Sequence, residues 1–366
     1  MLSYLADFQS YFHPLRVFDY TTFRAGGAAL TSLLICYVFG PLTVRLLKKF
    51  RTVAPSRLQG LVAEEFINKQ KDKTPSMGGI LIILSIVIST LLWSIPTNPL
   101  LIIFLGTLIS LACVGFLDDY AKVAHMKRDG ISGKLKLFLQ FAIALTAIYF
   151  ISTIPNTGDL LYKLMMPFQK KPVLVGIPVI IAFAFAALVV VGSSNAVNLT
   201  DGKDGLAVGC AIFCTLTYAT FAYLCGHKFF AGYLSIPFIP GASEVAIFFA
   251  AIAGACTGFL WHNCHPASMF MGDTGSLPLG GSIGLIAVLV KQELILIVVG
   301  GIFVIEAVSV MIQVFSFKVF KKRVFLCTPI HHHFEQKGWT ETQIVIRFWV
   351  LSGIFALIGL ATLKLR

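Results

Sequence analysis

A chain of 366 residues with 57% hydrophobic and only 13% charged residues has a mean hydropathy of +0.84. Soluble domains carry roughly 25% charged residues, so a cytosolic globular enzyme and a disordered chain are both excluded. The 29 Lys and Arg against 17 Asp and Glu leave a net +12; in a membrane protein such an excess sets topology, and with no basic stripe interleaved with aromatics it does not point to nucleic acid.

The N-terminus lacks the charged n-region and cleavage site of a signal peptide, so the first span itself is expected to enter the membrane. Residues Met1–Pro14, with Tyr4, Leu5, Phe8, Tyr11 and Phe12, suit a short helix lying in the outer interface. Ten apolar segments follow, at Thr22–Leu47, Met77–Ile95, Leu100–Leu117, Leu135–Ile154, Val173–Gly192, Leu206–Cys225, Val245–Trp261, Leu277–Val290, Leu294–Phe317 and Ile344–Leu365. Their lengths suit membrane-spanning helices, although the eighth is short and rich in glycine (Gly280, Gly281, Gly284). None alternates apolar with polar residues, which argues against a barrel. The predicted fold is an all-α polytopic integral membrane protein of about ten transmembrane helices, forming one domain over residues 1–366.

The polar loops fall into two sets. Lys48–Ser76, Asp118–Lys134, Ser193–Gly205, His262–Ser276 and Lys318–Gln343 hold seventeen Lys and Arg; the tails and the alternate loops hold eight. The positive-inside rule places the first set in the cytoplasm and both termini on the outer, periplasmic side. Six of the eight cysteines (Cys36, Cys113, Cys210, Cys214, Cys225, Cys256) lie in apolar runs, and no CxxC pair occurs. Disulfides and a cysteine zinc site are therefore not expected.

Asp118, Asp119, Asp201, Asp204 and Asp273 all sit at ends of apolar segments on the cytoplasmic face. Acids from three loops at one depth predict one shared cleft; the competing reading is that loop ends are simply polar. Asp118-Asp119-Tyr120-Ala121-Lys122 closes the third span. Adjacent carboxylates on a helix point about 100° apart and can serve different partners, while Lys122 shares a face with Asp118. An ordinary ion pair at a helix end is the alternative. Oxygen ligands of this kind suit magnesium, which is held by one or two carboxylates plus substrate phosphates.

Asn195–Gly205 reads as a polar loop whose Asn and Asp side chains could read a base or bind a sugar, though a plain turn also favours such residues. Phe270–Ser276 could present Asp273 and several backbone N–H groups beside a helix N-terminus, a place suited to phosphate. Thr74–Gly79 follows Lys69, Lys71 and Lys73, which offer point charges to phosphates or to anionic lipid. Three consecutive histidines, His331, His332 and His333, cannot all face one metal from a helix; bonds to phosphate or sugar hydroxyls, or proton transfer, fit them better. Glu306 lies in mid-span, where a carboxylate is costly, and is either functional or a polar contact between helices.

Together these stretches resemble the phospho-N-acetylmuramoyl-pentapeptide-transferase family, within the polyprenyl-phosphate N-acetylhexosamine-1-phosphate transferases. The resemblance runs from Thr22-Phe23-Arg24-Ala25 to Glu341-Thr342-Gln343 and the last span. The Asp-Asp pair, Asn198–Gly205 and Phe270–Ser276 are shared by the superfamily, and Pro329–Glu335 marks the muramoyl-pentapeptide branch. The family usually has Leu in place of Lys203 and Thr in place of Ser76; Thr328-Pro329 stands for Ala-Pro, and Asn263-Cys264-His265-Pro266 for Asn-Ala-His-Pro.

The resemblance implies ten spans, a cytoplasmic active site, a homodimer, and transfer from UDP-N-acetylmuramoyl-pentapeptide to undecaprenyl phosphate with Mg2+. It implies Asp273 as metal ligand and Asp118 as base or orienter, with Asp119 beside it and His332 among the catalytic groups. Lys71, Ser76, Lys122, Lys134, Asn198, Asp201, Asp204, Asn263, His331 and His333 would bind substrate. A sister transferase using UDP-N-acetylglucosamine is the nearest rival, against which the three histidines argue. A transporter is the rival of another class; transporters tend to show repeats and charges at the bilayer centre, whereas here the acids gather at one face.

Overall fold

The computed structural model describes residues 1–50, 74–124 and 130–364. In chain order the helices are α1 (Thr21–Lys49), α2 (Gly79–Trp93), α3 (Pro99–Ala124), α4 (Gly133–Ser152), α5 (Val179–Thr200) and α6 (Leu206–Gly226). They continue with α7 (Lys228–Leu234), α8 (Ala242–Asn263), α9 (Asp273–Leu289), α10 (Glu293–Val299), α11 (Gly301–Phe320), α12 (Ile330–Gln336) and α13 (Glu341–Ala361). Among the described residues, eight of these are long and apolar enough to cross a membrane, namely α1, α3, α4, α5, α6, α8, α11 and α13. The architecture is that of a polytopic helical membrane protein.

The two shorter apolar helices, α2 and α9, fill the second and eighth predicted segments. Every residue of α9 is buried, because α3 and α5 pack along it and α2 and α6 close the remaining sides. Its 17 residues rise about 25 Å at ~1.5 Å each, less than a hydrocarbon core of about 30 Å. A helix sheathed in protein need not match the lipid. Gly280 and Gly284 face the backbone of α5 at Ser194 and Val190, so that the two helices approach closely.

α8 is packed between α1 and α6. At the end of the bundle away from the acids, Arg24 of α1 forms a bidentate pair with Glu244 of α8, at 2.8 and 2.7 Å, and Glu244 also accepts from the Ile95 N–H.

Several boundaries differ from the sequence reading, among them the end of α3, which runs on to Ala124 rather than stopping at Leu117, and the start of α9 at Asp273 rather than Leu277. The fifth helix begins at Val179 rather than Val173, because Lys163–Leu164 (β1) and Leu174–Val175 (β2) pair as an antiparallel ribbon, followed by Gly176 at φ +75°. At its other end α5 continues to Thr200, so Asn195 and Asn198 stand on a helix, not in a loop. Their side chains bond across to neighbouring helices and to the Val191 carbonyl, which removes the reason for the chain to leave the helix. The ninth segment is broken at Gly300 into α10 and α11. The three histidines lie on the short helix α12 instead of a loop. The N-terminal stretch forms 3-10 segments at Leu2–Phe8 and His13–Asp19, with Tyr4, Phe8, Tyr11 and Phe12 exposed.

Candidate active site

The site is built around the N-terminus of α9. The Gly78 and Gly79 N–H groups donate to the Phe270 and Met271 carbonyls, laying the chain before α9 against the start of α2. Gly272 then turns at φ +71°, where a Cβ would lie 2.6 Å from Asp119 Oδ2 and 3.0 Å from Ser76 Oγ. Both the conformation and the space call for glycine. A glycine N-cap has no side chain to offer the first N–H groups of α9. Asp119 supplies it from α3. Its Oδ1 accepts from the Asp273 N–H (3.2 Å), and its Oδ2 accepts from the Thr274 N–H (2.9 Å) and hydroxyl (2.7 Å).

Asp273 opens α9 and faces Asp118. Its Oδ2 lies 3.0 Å from Lys122 Nζ and 2.5 Å from Lys136 Nζ, and its Oδ1 accepts from Asn198 Nδ2 at 2.7 Å. Asn198 also reaches Ser276 Oγ at 2.8 Å. Asp118 Oδ2 is 2.5 Å from Lys122 and 3.6 Å from Lys136, while Oδ1 accepts from the Ile131 N–H. Asp118, Asp119 and Asp273 each bring an oxygen within 4.8 Å of the others, and all three are buried. Three carboxylates against two ammonium groups leave the cluster with one negative charge in excess. Such a set of hard oxygen donors fits a divalent cation. Asp118 and Asp273 are the donors suited to it, since Asp119 is engaged with α9. Lys122 and Lys136 are equally placed to meet phosphate.

Beyond α5 the chain turns sharply through Asp201–Gly205. Asp201 is half-buried at the end of the helix. Asp204 is buried; its Oδ2 accepts from His265 Nδ1 (3.0 Å) and the Ala267 N–H (3.2 Å), and its own N–H donates to Glu341. Asp204, His265 and Glu341 form the second cluster of metal-ligand type among the described residues. Asn263 uses both ends of its amide on backbone, accepting from the Gly205 N–H and donating to the Met269 carbonyl. It therefore ties the loop to α8.

The histidines diverge as a helix requires. His331 Nδ1 is 3.0 Å from Glu306 Oε1, and both side chains are fully buried. His332 Nδ1 is 3.0 Å from Glu335 Oε2. His333 Nδ1 accepts from the Leu326 N–H at 3.2 Å. Glu306 is thus a polar contact between α11 and α12. Lys203 reaches Glu335 Oε1 at 2.5 Å, joining the Asp201–Gly205 turn to α12. Burial pushes Glu335 up, but the hydrogen bonds from His332 and Lys203 outweigh it and hold the carboxyl at about 2. Burial pushes His332 below the usual imidazole range in spite of Glu335.

The structure thus brings together Asp118, Asp119, Asp273, Lys122 and Asn198, with Ser76 against Gly272. Asp201 and Asp204 lie in the α5–α6 turn, which Asn263 holds at Gly205 and His331 abuts at Gly202; His332 joins it through Glu335 and Lys203, whereas His333 bonds the Leu326 N–H instead. Lys134 stands exposed at the start of α4, while Lys136, two residues on, enters the cluster. Lys71 lies outside the described residues. Sequence reasoning missed Lys136, Thr274, His265, Glu335 and Glu341 as members of the site. Glu335 had a signal, being three residues from His332 on what proves to be a helix. Two apolar grooves of about 620 Å³ each, between α3 and α4 and between α4 and α5, are lined by none of these groups. The charge pattern, not cavity size, marks the chemistry.

The chain is similar over its whole length to known transferases. The Glycosyl transferase family 4 profile matches residues 101–291, and phospho-N-acetylmuramoyl-pentapeptide-transferase signature 1 matches residues 71–83. The phospho-N-acetylmuramoyl-pentapeptide-transferase of Methylacidiphilum infernorum is 47% identical over 367 residues, covering 100% of both chains. Those of Neisseria meningitidis serogroup C and Neisseria gonorrhoeae are each 45% identical over 369 residues, again covering 100% of both chains. At that identity over its whole length, the chain belongs to the phospho-N-acetylmuramoyl-pentapeptide-transferase family.

Proposed function

We propose that the chain, acting as one domain over residues 1–366, transfers phospho-N-acetylmuramoyl-pentapeptide from its UDP donor to undecaprenyl phosphate. An oxygen of the lipid phosphate attacks the phosphorus attached to the sugar. The bond from that phosphorus to the bridging oxygen breaks, UMP leaves with that oxygen, and lipid I forms. The observation that supports this most directly is the meeting of Asp118 and Asp273 with Lys122 and Lys136, drawn from three helices to one buried point.

Lys122 and Lys136 set positive charge where two phosphate groups must approach each other. Asp118 orients the lipid phosphate. A phosphate monoester is already largely ionised near neutral pH, its second pKa being about 6, so no strong base is needed. Asp273, with Asp118, holds the divalent ion, which we assign as Mg2+; when bound it offsets diphosphate charge and stabilises the leaving group. Asn198 orients Asp273. Asp201, Ser76 and Lys71 serve the nucleotide and diphosphate, with Asp204 and Asn263 holding the turn beside them and Lys134 at the rim; of the three histidines, His332 serves the sugar of the transferred group, while His331 and His333 hold α12 in place. The seventeen-to-eight distribution of Lys and Arg supports a cytoplasmic site in the bacterial inner membrane with both termini outside. A homodimer belongs to the same reading.

The test is UMP release by purified protein in detergent, given the two substrates and Mg2+. Turnover is expected with the muramoyl-pentapeptide donor and not with UDP-N-acetylglucosamine, and is expected to stop in excess EDTA. The reverse donor preference would overturn the substrate assignment, and full turnover in EDTA would overturn the metal. Light scattering of the same sample checks the dimer.

A further inference from the structure

Two of the three consecutive histidines are held in the same sense. Glu306 Oε1 faces His331 Nδ1, and Glu335 Oε2 faces His332 Nδ1, each at 3.0 Å. Glu335, held at about 2, is an ionised carboxylate that can only accept, so the His332 Nδ1 carries the proton, and the neutral ring then has a lone pair on Nε2. His333 has the opposite arrangement, its Nδ1 accepting from backbone. The His331 ring is closed off from any ligand, because it is fully buried and its Nε2 abuts Gly202. His332 differs. It is partly exposed, and its Nε2 makes no hydrogen bond among the described residues. Its partner Glu335 is anchored in turn by Lys203, whose side chain is only 5% exposed.

We propose that Glu335 and Lys203 are positioning residues that fix His332 so that its Nε2 lone pair accepts a hydrogen bond from a hydroxyl or amide N–H of the transferred sugar. This rests on the transferase reading above. The group met by His332 must be a donor, since a lone pair repels a phosphate oxygen, which is itself an acceptor. The burial that pushes His332 below the usual imidazole range keeps the ring neutral and works in the same direction. The cluster of Lys122 and Lys136 meets the phosphates; the His332 chain of contacts meets the neutral part of the same substrate.

The experiment compares kcat and KM for UMP release by wild type, Glu335→Ala, Lys203→Met, His332→Gln, His332→Lys and the double variant His332→Gln/Glu335→Ala, with melting temperatures as a check on folding. Glu335→Ala is expected to lower turnover by about ten- to a hundredfold, the worth of a hydrogen bond to a charged group, and Lys203→Met by less. His332→Gln places an amide oxygen near the position of Nε2 without needing Glu335. In that background removing Glu335 should change turnover less than about twofold. Wild-type turnover in Glu335→Ala, or an equal loss in both backgrounds, would overturn the positioning role. His332→Lys outperforming His332→Gln would show that the position meets an anion, and would overturn the assignment of a donor. A wild type releasing no UMP would overturn the transferase reading and this proposal with it.

Discussion

The Asp119 carboxylate on α3 accepts both the backbone N–H and the hydroxyl of Thr274 on α9, at 2.9 and 2.7 Å. The start of one helix is therefore capped by another, 155 residues away in the chain. A negative charge at a helix N-terminus is favourable, and here it also holds Asp273 at the mouth of the cluster. The two neighbouring acids on α3 thus have separate duties. Asp119 shapes the site, and Asp118 faces the lysines.

Removing the cap should be felt as lost stability. Asp119→Ala leaves the Asp273 and Thr274 N–H groups buried without their acceptor. The expected cost is about 1–3 kcal/mol, seen as a lowered melting temperature in detergent, with lost turnover following from it. An unchanged melting temperature would remove Asp119 from this role.

Asp273→Asn should behave in the opposite way. The amide keeps the size of the side chain and an oxygen for Asn198, but loses the charge that a hard cation needs. The protein should insert and melt nearly as wild type. Turnover should fall by several powers of ten, since metal stabilisation of a leaving phosphate is worth several kcal/mol and each ~1.4 kcal/mol is tenfold. Extra Mg2+ should restore little. Retention of more than about a tenth of the activity, equivalent to less than ~1.4 kcal/mol, would remove Asp273 as a ligand.

At the other end of the bundle, Arg24→Met strands Glu244. Both side chains are at most 6% exposed. Breaking a buried pair from one side costs about 3–5 kcal/mol. Arg24→Met should therefore melt well below wild type, and adding Glu244→Gln should recover part of the loss, while Mg2+ dependence stays unchanged. No recovery in the double variant would mean that the cost lies elsewhere.

Acidification should loosen α12 in two stages. His332 lies below its ordinary value of 6.5 when folded, so the unfolded chain takes up its proton first and stability begins to fall below about pH 6.5. Glu335 lies at about 2 when folded against 4.5 ordinarily. Its contribution is whole above about pH 4.5 and is lost as pH falls toward 2. Melting temperatures between about pH 7.5 and 5 should decline less steeply in His332→Gln than in wild type. Parallel curves would exclude His332 from the first stage.

The proposed topology makes a prediction for intact cells. With the exposed Cys113 and Cys264 replaced by serine, a cysteine placed at the exposed Gln169, in the loop joining β1 to β2, should react with an impermeant thiol reagent. One placed at the exposed Lys134 should not react until the membrane is opened. Labelling at Lys134 in sealed cells would invert the orientation.

Much of this molecule was legible along the chain. Each predicted apolar segment contains a helix, since crossing a bilayer depends on the composition of about 20 consecutive residues, a local property. The gathering of Asp118, Asp119, Asp201, Asp204 and Asp273 toward one end followed from the same count. What only the tertiary structure decided is which side chains meet, because that depends on how each helix is rotated about its axis. Two residues of helix separate Lys134 from Lys136 by roughly 200°, and only the packing of α4, with Gln140 one turn beyond Lys136 bonded to Asn195 of α5, shows that Lys136 rather than Lys134 faces the acids. The same holds for Asp119 reaching α9, and for Lys203 reaching Glu335 across 132 residues. Hydropathy sets how far a helix runs through the membrane; packing against its neighbours sets which face it turns to the site.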